Sequence, residues 1–213
     1  MASIIKSDNG VSSGITGIVQ SADSSGQLVL QTTTSGGTAT TAVTIDNTQV
    51  ATFANTLKAP NLQGPTFSAY QPSNQSLTSA TYTNITCSTK EFDTGGCFNN
   101  TGTTATLNGL SVPAYAFCPN VAGYYQFNAA LDSSGSAVVT AIALQFYKNG
   151  SNFKSGPVTT VGSSTPRIEA STLIYLNGSG DYVQFYGYIA GTAPATGGSQ
   201  TQTWFQASMV RSA

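Results

Sequence analysis

The most regular hydrophobic pattern in this chain lies between Gly123 and Leu131. Alternate residues form two sets there, Tyr125, Phe127, Ala129 and Leu131 in one, and Tyr124, Gln126, Asn128 and Ala130 in the other. Alternation with a period of two is typical of a strand with one buried face. We therefore predict a half-buried strand with Phe127 in the core.

Similar short alternating segments recur from residue 66 to the end, with turns rich in Gly, Asn and Ser between them. Asn149-Gly150 is the strongest hairpin signal. No segment has capped, helix-period patterning, so we predict an all-β fold, a jelly-roll β-sandwich. The predicted strands are Thr66–Tyr70, Tyr82–Cys87, Lys90–Asp93, Ala105–Asn108, Ala114–Phe117, Gly123–Leu131, Val138–Tyr147, Gly156–Val161, Arg167–Leu176, Asp181–Ile189 and Thr201–Val210.

Residues 1–58 have a different pattern, more polar and with only three short alternating pieces, at residues 26–32, 41–45 and 50–54. Strands this short are marginal alone, so we expect them to be ordered by copies of themselves or by a partner. The predicted organisation is an extended β-rich N-terminal anchor over residues 1–58, a linker over 59–65 and a head domain over 66–213.

The composition removes several function classes. Charged residues make up 7% of the chain, against about 25% in ordinary domains. The net charge is −1 without a basic cluster, so we expect no nucleic-acid partner. No apolar run is long enough for a transmembrane helix, so we expect no membrane partner. The N-terminus lacks the apolar core of a secretion signal, so we do not expect export by that route.

The chain also has little chemistry to offer a catalytic or metal site. It contains no histidine, which removes the usual triads and most zinc sites. The acidic pairs Glu91 with Asp93 and Asp132 with Asp181 are too isolated to indicate calcium or paired-acid catalysis. We predict no catalytic residue, metal or cofactor. The cysteines 87, 97 and 118 are read as free buried thiols, with a Cys87–Cys97 disulfide as the alternative.

Several motifs, in order, resemble the C1q/TNF-like jelly roll. They are Phe67–Tyr70, Phe92–Phe98, Phe117–Phe127 (FCPNVAGYYQF), Leu144–Gly150, Gly180–Phe185 and Phe205–Val210. Ala207 stands where the family has glycine. The resemblance implies a homotrimer whose outward-facing aromatic residues meet near the axis. The candidate interface residues are Tyr124, Gln126, Tyr147, Tyr182, Gln184, Tyr186 and Tyr188; a sugar-binding platform or ordinary surface are the alternatives for the tyrosines.

The N-terminal segment resembles a pattern of tailed-phage structural and fibre proteins. The matching runs are Leu28–Thr32 (LVLQT) and Thr44–Leu57 (TIDNTQVATFANTL). The resemblance implies a virion protein that docks on the major capsid protein or another virion protein through residues 1–58. The candidate anchor residues are Leu28, Leu30, Val43, Ile45 and Phe53.

Together these patterns predict a non-enzymatic phage virion protein, assembled in the host cytoplasm. It would act as a homotrimeric capsid decoration (cement) protein or head fibre. The alternative is the receptor-binding tip of a short tail fibre that recognises host surface polysaccharide.

Overall fold

A computed structural model describes residues 8–9, 16–17, 28–33, 39–48, 50–53, 64–134, 138–160 and 165–213. Those residues form strands, turns and bends only, and none of them lies in a helix that could cross a membrane. The chain divides into two compact units, residues 1–58 and 59–213. The predicted linker lies outside the described residues, except for Gly64 and Pro65.

The first unit contains two small antiparallel sheets. One pairs β1 (Asp8–Asn9) with β2 (Thr16–Gly17), and the other has the order β3 (Leu28–Thr33), β4 (Ala39–Ile45) and β5 (Ala51–Phe53). The turn after β4 is built on Asp46. Its Oδ1 accepts hydrogen bonds from the Thr48 hydroxyl at 2.7 Å, the Thr48 amide at 2.9 Å and the Val50 amide at 3.0 Å. The hydrogen bond from the Thr48 hydroxyl has the largest effect in lowering the pKa of Asp46, and the backbone hydrogen bonds lower it further.

The second unit contains twelve described strands. They are β6 (Thr66–Tyr70), β7 (Thr83–Asn84), β8 (Thr89–Asp93), β9 (Ala105–Leu107), β10 (Leu110–Val112), β11 (Ala116–Phe117), β12 (Gly123–Asp132), β13 (Val139–Lys148), β14 (Ser151–Thr160), β15 (Arg167–Leu176), β16 (Val183–Gly191) and β17 (Trp204–Ser212).

These strands pack as a two-layer sandwich. Sheet I has the order β8-β6-β17-β12-β15, and sheet II has the order β14-β13-β16-β11, with β7 also paired to β16. From β11 onward the chain changes sheet at every connection except the β13–β14 hairpin. The pairings are antiparallel, and the first and last long strands of the unit, β6 and β17, are neighbours. This winding is that of a jelly roll, so the predicted fold class is confirmed.

Phenylalanine fills the space between the sheets. Phe127 from the middle of β12 stacks on Phe205 of β17 at 5.8 Å, and Phe67 of β6 stacks on Phe98 at 4.4 Å. All four side chains are buried, as are Val183 and the other residues of one alternating set on each central strand. The inward direction predicted for Phe127 is correct, because burial follows the period-two pattern along β12.

Strand lengths differ from the predictions where turns or irregular pairing intervene. β14 begins at Ser151 rather than Gly156, because Asn149 (φ 52°) and Gly150 (φ 80°) form a two-residue turn that starts the strand at once. Of the predicted strand Tyr82–Cys87, only Thr83 and Asn84 pair regularly with β16. The strand Leu110–Val112 was not predicted, although Asn108-Gly109 before it carries the same turn signal, with φ of 50° and 77°.

Gly123 is required for space rather than for a turn. Its φ is not in the left-handed region, but a Cβ there would lie 2.5 Å from the backbone oxygen of Arg211 and 3.1 Å from Met209 Sδ. The bulge between Tyr124 and Tyr125 brings β17 this close. A side chain at position 123 would therefore push the C-terminal strand away from β12.

We expect Gly123→Ala to lower the free energy of unfolding by about 1–3 kcal/mol, since a methyl group overpacks this contact. Urea denaturation followed by circular dichroism measures the change. Gly102→Ala is the matched control, because the nearest atom there is the Tyr115 hydroxyl at 3.2 Å, the far end of a side chain that can move. Equal stability of Gly123→Ala and wild type would contradict this packing role.

Candidate interaction surfaces

The candidate anchor residues lie on one face of the β3-β4-β5 sheet. Leu28 is directly opposite Ile45, and Leu30, Val43 and Phe53 form a row across the three strands. Directly paired residues of antiparallel strands point to the same face. Leu30 and Phe53 are both 43% exposed, so this N-terminal face presents its apolar side chains to solvent.

The seven candidate interface residues separate into two surfaces. Tyr124 and Gln126 lie on the outer face of sheet I, on β12. The remaining five, Tyr147, Tyr182, Gln184, Tyr186 and Tyr188, belong to the outer face of sheet II. Because the inner faces of the two sheets pack against each other, these outer faces lie on opposite sides of the sandwich.

Tyr124 belongs to a larger exposed cluster, the apolar patch, made of Tyr124, Leu173, Tyr175 and Val210. Its members are between 42% and 63% exposed. Tyr124 and Tyr175 are cross-strand partners with ring centroids 5.4 Å apart. A cavity of about 570 Å³ opens beside them, lined by Tyr124, Leu173, Val210, Arg211, Ser212 and Ala213.

The apolar patch continues around the edge of the sandwich to Phe153 on β14. Lys148 joins the two parts: its Nζ lies 5.8 Å from the ring centroid of Tyr175 and 5.7 Å from that of Phe153. The same ammonium group donates to the backbone oxygen of Tyr175 at 2.9 Å. Phe153 is 49% exposed, so apolar surface covers both a face and an adjoining edge of the domain.

The predicted interface did not include Leu173, Tyr175, Val210 or Phe153. Leu173 and Tyr175 alternate with buried Ile174 and Leu176, so the period-two pattern places them outward. Their position beside Gln126 and Tyr124 follows only from the register between β12 and β15, which the pattern of a single strand does not contain.

Four tyrosines on sheet II, Tyr82, Tyr147, Tyr186 and Tyr188, form a second cluster, the tyrosine surface. The rings of Tyr147 and Tyr186 stack with centroids 3.8 Å apart and planes 17° from parallel, and those of Tyr82 and Tyr188 are 5.1 Å apart. Burial is the largest cause that raises the pKa of Tyr82 and of Tyr186, and the neighbouring tyrosines raise both values further. The four phenol rings therefore lie close together on this face of the sheet.

The other two sheet II candidates are covered by the chain itself. The β9–β10 hairpin carries Val112 into a second buried cluster with Ala116 and Cys118, and Tyr182 packs against that cluster. Gln184 is only 6% exposed, and its Nε2 donates to the backbone oxygen of Ala114 at 2.7 Å. The predicted role of these two residues in an interface remains a prediction.

The acidic residues weighed as candidate sites, Glu91, Asp93, Asp132 and Asp181, each lie beside a polar or charged neighbour. Asp93 forms an ion pair with Lys90 at 2.7 Å and accepts from the Cys97 amide at 2.9 Å, while Glu91 is bonded to Ser68 and Gln200. Burial raises the pKa of Asp132, and the charge of Arg167, its cross-strand partner, lowers it by less, so the pKa lies above its ordinary value. Among the described residues no three His, Cys, Asp or Glu side chains gather as a possible metal site.

All three cysteines are buried free thiols in the structure. Burial raises the pKa of Cys118 to about 11 and raises the pKa of Cys87 further. Because the thiolate is the reactive form, these thiols are poor nucleophiles. This arrangement agrees with the prediction of free thiols.

Asp181 closes the β13–β14 hairpin at the end nearest the apolar patch. Its carboxylate pairs with Lys148 Nζ at 2.9 Å and accepts from Asn149 Nδ2 at 2.7 Å. Burial acts to raise the pKa of Asp181, but the Asn149 hydrogen bond and the Lys148 charge outweigh it, so the pKa lies below its ordinary value. The carboxylate thus fixes the turn and the Lys148 side chain together.

We expect Asp181→Asn to lower the free energy of unfolding at neutral pH by about 1 kcal/mol. Because the folded pKa is depressed, the stabilisation is present above the ordinary aspartate pKa of 3.8 and is lost as the pH falls through the folded value. Urea titrations between pH 7 and pH 3 should show a smaller acid loss in the variant than in wild type. Parallel curves for the two proteins would contradict the role given to Asp181.

No protein-family model and no curated protein sequence matches the chain. Three solved structures are similar to parts of the chain. Murine APRIL has 8% identity and a TM-score of 0.47, with 70% of this chain and 100% of that chain covered. The globular domain of zebrafish complement 1qA has 17% identity and a TM-score of 0.45, with 71% and 100% covered, and Eiger TNF from S. frugiperda has 5% identity and a TM-score of 0.41, with 71% and 95% covered. These neighbours are C1q/TNF-like jelly-roll domains. The strand order described above, rather than these distant similarities, identifies the second unit of this chain as a jelly-roll β-sandwich.

Proposed function

We propose that the chain is a non-enzymatic structural subunit on the surface of a tailed-bacteriophage particle, where it works as a homotrimer. The apolar patch is the observation that carries the self-association. Exposed apolar clusters of this kind mark interaction sites, because water is released when they are covered.

The shape of the apolar surface favours a closed ring over a two-fold dimer. A two-fold dimer joins one patch to the same patch of its partner, whereas a cyclic trimer joins two different patches. Here apolar side chains occupy the outer face of sheet I at Leu173 and the adjoining edge at Phe153. The face of one copy can thus meet the edge of the next, as the resemblance to trimeric jelly rolls implies.

The role on a particle is supported by the N-terminal unit. Its apolar face offers Leu30 and Phe53 to a partner, which would be the major capsid protein or another virion protein. The pattern shared with phage structural proteins lies in this same unit, over Leu28–Thr32 and Thr44–Leu57. A capsid decoration protein or head fibre would dock through such an apolar face, and would be assembled onto particles in the host cytoplasm.

The second candidate is a receptor-binding tip of a short tail fibre, since the tyrosine surface presents uncharged groups suited to a host polysaccharide. The two candidates differ in where the protein sits on the particle. Electron microscopy of intact particles that carry the protein separates them: density on the capsid supports the first, and density at the tail tip supports the second. Absence from purified particles by mass spectrometry would refute both.

For self-association, we expect the wild-type chain to sediment as a trimer and the double variant Leu173→Asp/Val210→Asp as a monomer. Each carboxylate placed in the apolar contact would lose its water without gaining a partner. Burying an ion in this way costs several kcal/mol, which disfavours the trimer. Sedimentation equilibrium measures the mass of both proteins.

The matched control is Val138→Asp, because Val138 is 53% exposed and lies outside the apolar patch. This variant should remain trimeric. A monomeric wild-type protein at micromolar concentration, or a trimeric double variant, would contradict the assignment of the apolar patch to the interface.

For docking, we expect Leu30→Asp/Phe53→Asp to abolish recovery of the protein with particles, because both changes put a charge on the N-terminal face. Co-sedimentation of the full-length variant with particles that lack the wild-type protein measures this. The control is Val29→Asp, on the opposite face of β3 and 39% exposed, which should still co-sediment. Equal recovery of the double variant would exclude the N-terminal face as the anchor.

A further inference from the structure

We propose that the tyrosine surface of sheet II is a binding site for an uncharged glycan. The site would consist of Tyr82, Tyr147, Tyr186 and Tyr188. The inference rests on the second candidate function, for which it names the site and the class of glycan. It does not depend on the trimer, because the surface lies within one chain and on the sheet opposite the apolar patch.

The four tyrosine rings are arranged as two pairs along β16. Tyr147 with Tyr186 and Tyr82 with Tyr188 are two ring pairs, and their members Tyr186 and Tyr188 are alternate residues on β16. Same-face residues of a strand are about 7 Å apart, so the two pairs follow each other along the strand. Each ring of the stacked pair has one face against its partner, so the outer ring faces are the ones that can take the apolar C–H face of a sugar ring.

The tyrosine rings lie among outward-facing residues of the sheet that are themselves covered. Ala143 is directly opposite Tyr188 and points outward, and it is nevertheless 1% exposed. Gln145, directly opposite Tyr186, is also buried. Side chains that lie over such residues lose little further freedom when a ligand covers them, which reduces the entropic cost of binding.

The hydroxyl groups are free to bond a ligand. Within the described part of the chain none of the four phenol hydroxyls has a hydrogen-bond partner. The buried Tyr125, in contrast, donates to the backbone oxygen of Val121 at 2.7 Å. Each free hydroxyl can both donate and accept, as the hydroxyl groups of a sugar require.

The absence of charge selects the class of glycan. The outward positions of β13 and β16 carry Ala, Gln and Tyr, and no Lys, Arg, Asp or Glu. An anionic polysaccharide would need cationic side chains, which this surface does not offer. A protein partner gains most where a contiguous exposed apolar patch becomes covered, and that patch, with Leu173 and Val210, lies on sheet I.

The test is affinity electrophoresis of the full-length protein through native gels that contain dextran, mannan or a neutral galactan, with hyaluronan as the charged comparison. We expect at least one neutral polysaccharide, and not hyaluronan, to retard the wild-type protein. Tyr147→Ala and Tyr188→Ala should weaken apparent binding about tenfold each, the loss expected for one aromatic contact. Phe92→Ala, an exposed aromatic residue on sheet I, should bind as wild type.

A second measurement works on the wild-type protein and so does not depend on the folding of variants. N-acetylimidazole acetylates accessible tyrosine hydroxyls, and mass spectrometry locates the modified residues. The retarding polysaccharide should protect Tyr147, Tyr186 and Tyr188, while the half-buried Tyr70 and Tyr115, which lie outside both surfaces, serve as unprotected references. Unchanged acetylation of the three would overturn the proposal.

The proposal also fails if no polysaccharide retards the protein, or if a virion protein rather than a glycan protects the tyrosine surface. Sedimentation of the same samples keeps this result separate from the proposed function. A monomer that binds a neutral glycan through Tyr147 would refute the trimer and support the site. A trimer that binds none would do the reverse.

Discussion

The packing of phenylalanine between the two sheets is the interaction on which the rest of this structure depends. A chain with 7% charged residues and a hydroxyl-rich surface has few ion pairs to hold it together. The rings of Phe127 and Phe205 on sheet I contact those of Phe146 and Phe185 on sheet II, with centroids 6.2 Å and 5.9 Å apart, and Phe67 of β6 stacks on Phe117 of β11 at 4.7 Å. Because these strands must present alternate residues to that core, the opposite set is left on the outer faces, where the interaction surfaces arise.

The two outer faces differ in chemistry, and that difference separates their proposed roles. Sheet I carries aliphatic and aromatic residues around Leu173, which gain most from contact with another apolar surface. On sheet II, the outward positions of β13 and β16 carry stacked phenols and no charged side chain. A low overall charge lets copies approach without electrostatic repulsion, so the positions of these few side chains decide what binds where.

Local pattern was sufficient where one strand or one turn carries the information. Burial along β12 follows the alternation centred on Phe127, and Asn149-Gly150 forms the hairpin that its residue types predict. The β9–β10 hairpin shows the limit of pattern. Its turn signal at Asn108-Gly109 was readable, but the packing of Val112 against Ala116, with Tyr182 at the flank, arises only when distant segments meet.

The sequence by itself determined the all-β class, the inward and outward sets of residues and the tyrosine-rich character of β16, because strand periodicity is a local property. Only the tertiary structure decided which outward residues are neighbours. The pairing of β12 with β15 brought Tyr124 to Tyr175, and the assignment of β12 and β16 to different sheets divided one predicted interface into two surfaces. Register and sheet order depend on contacts between distant residues, and no single segment encodes them.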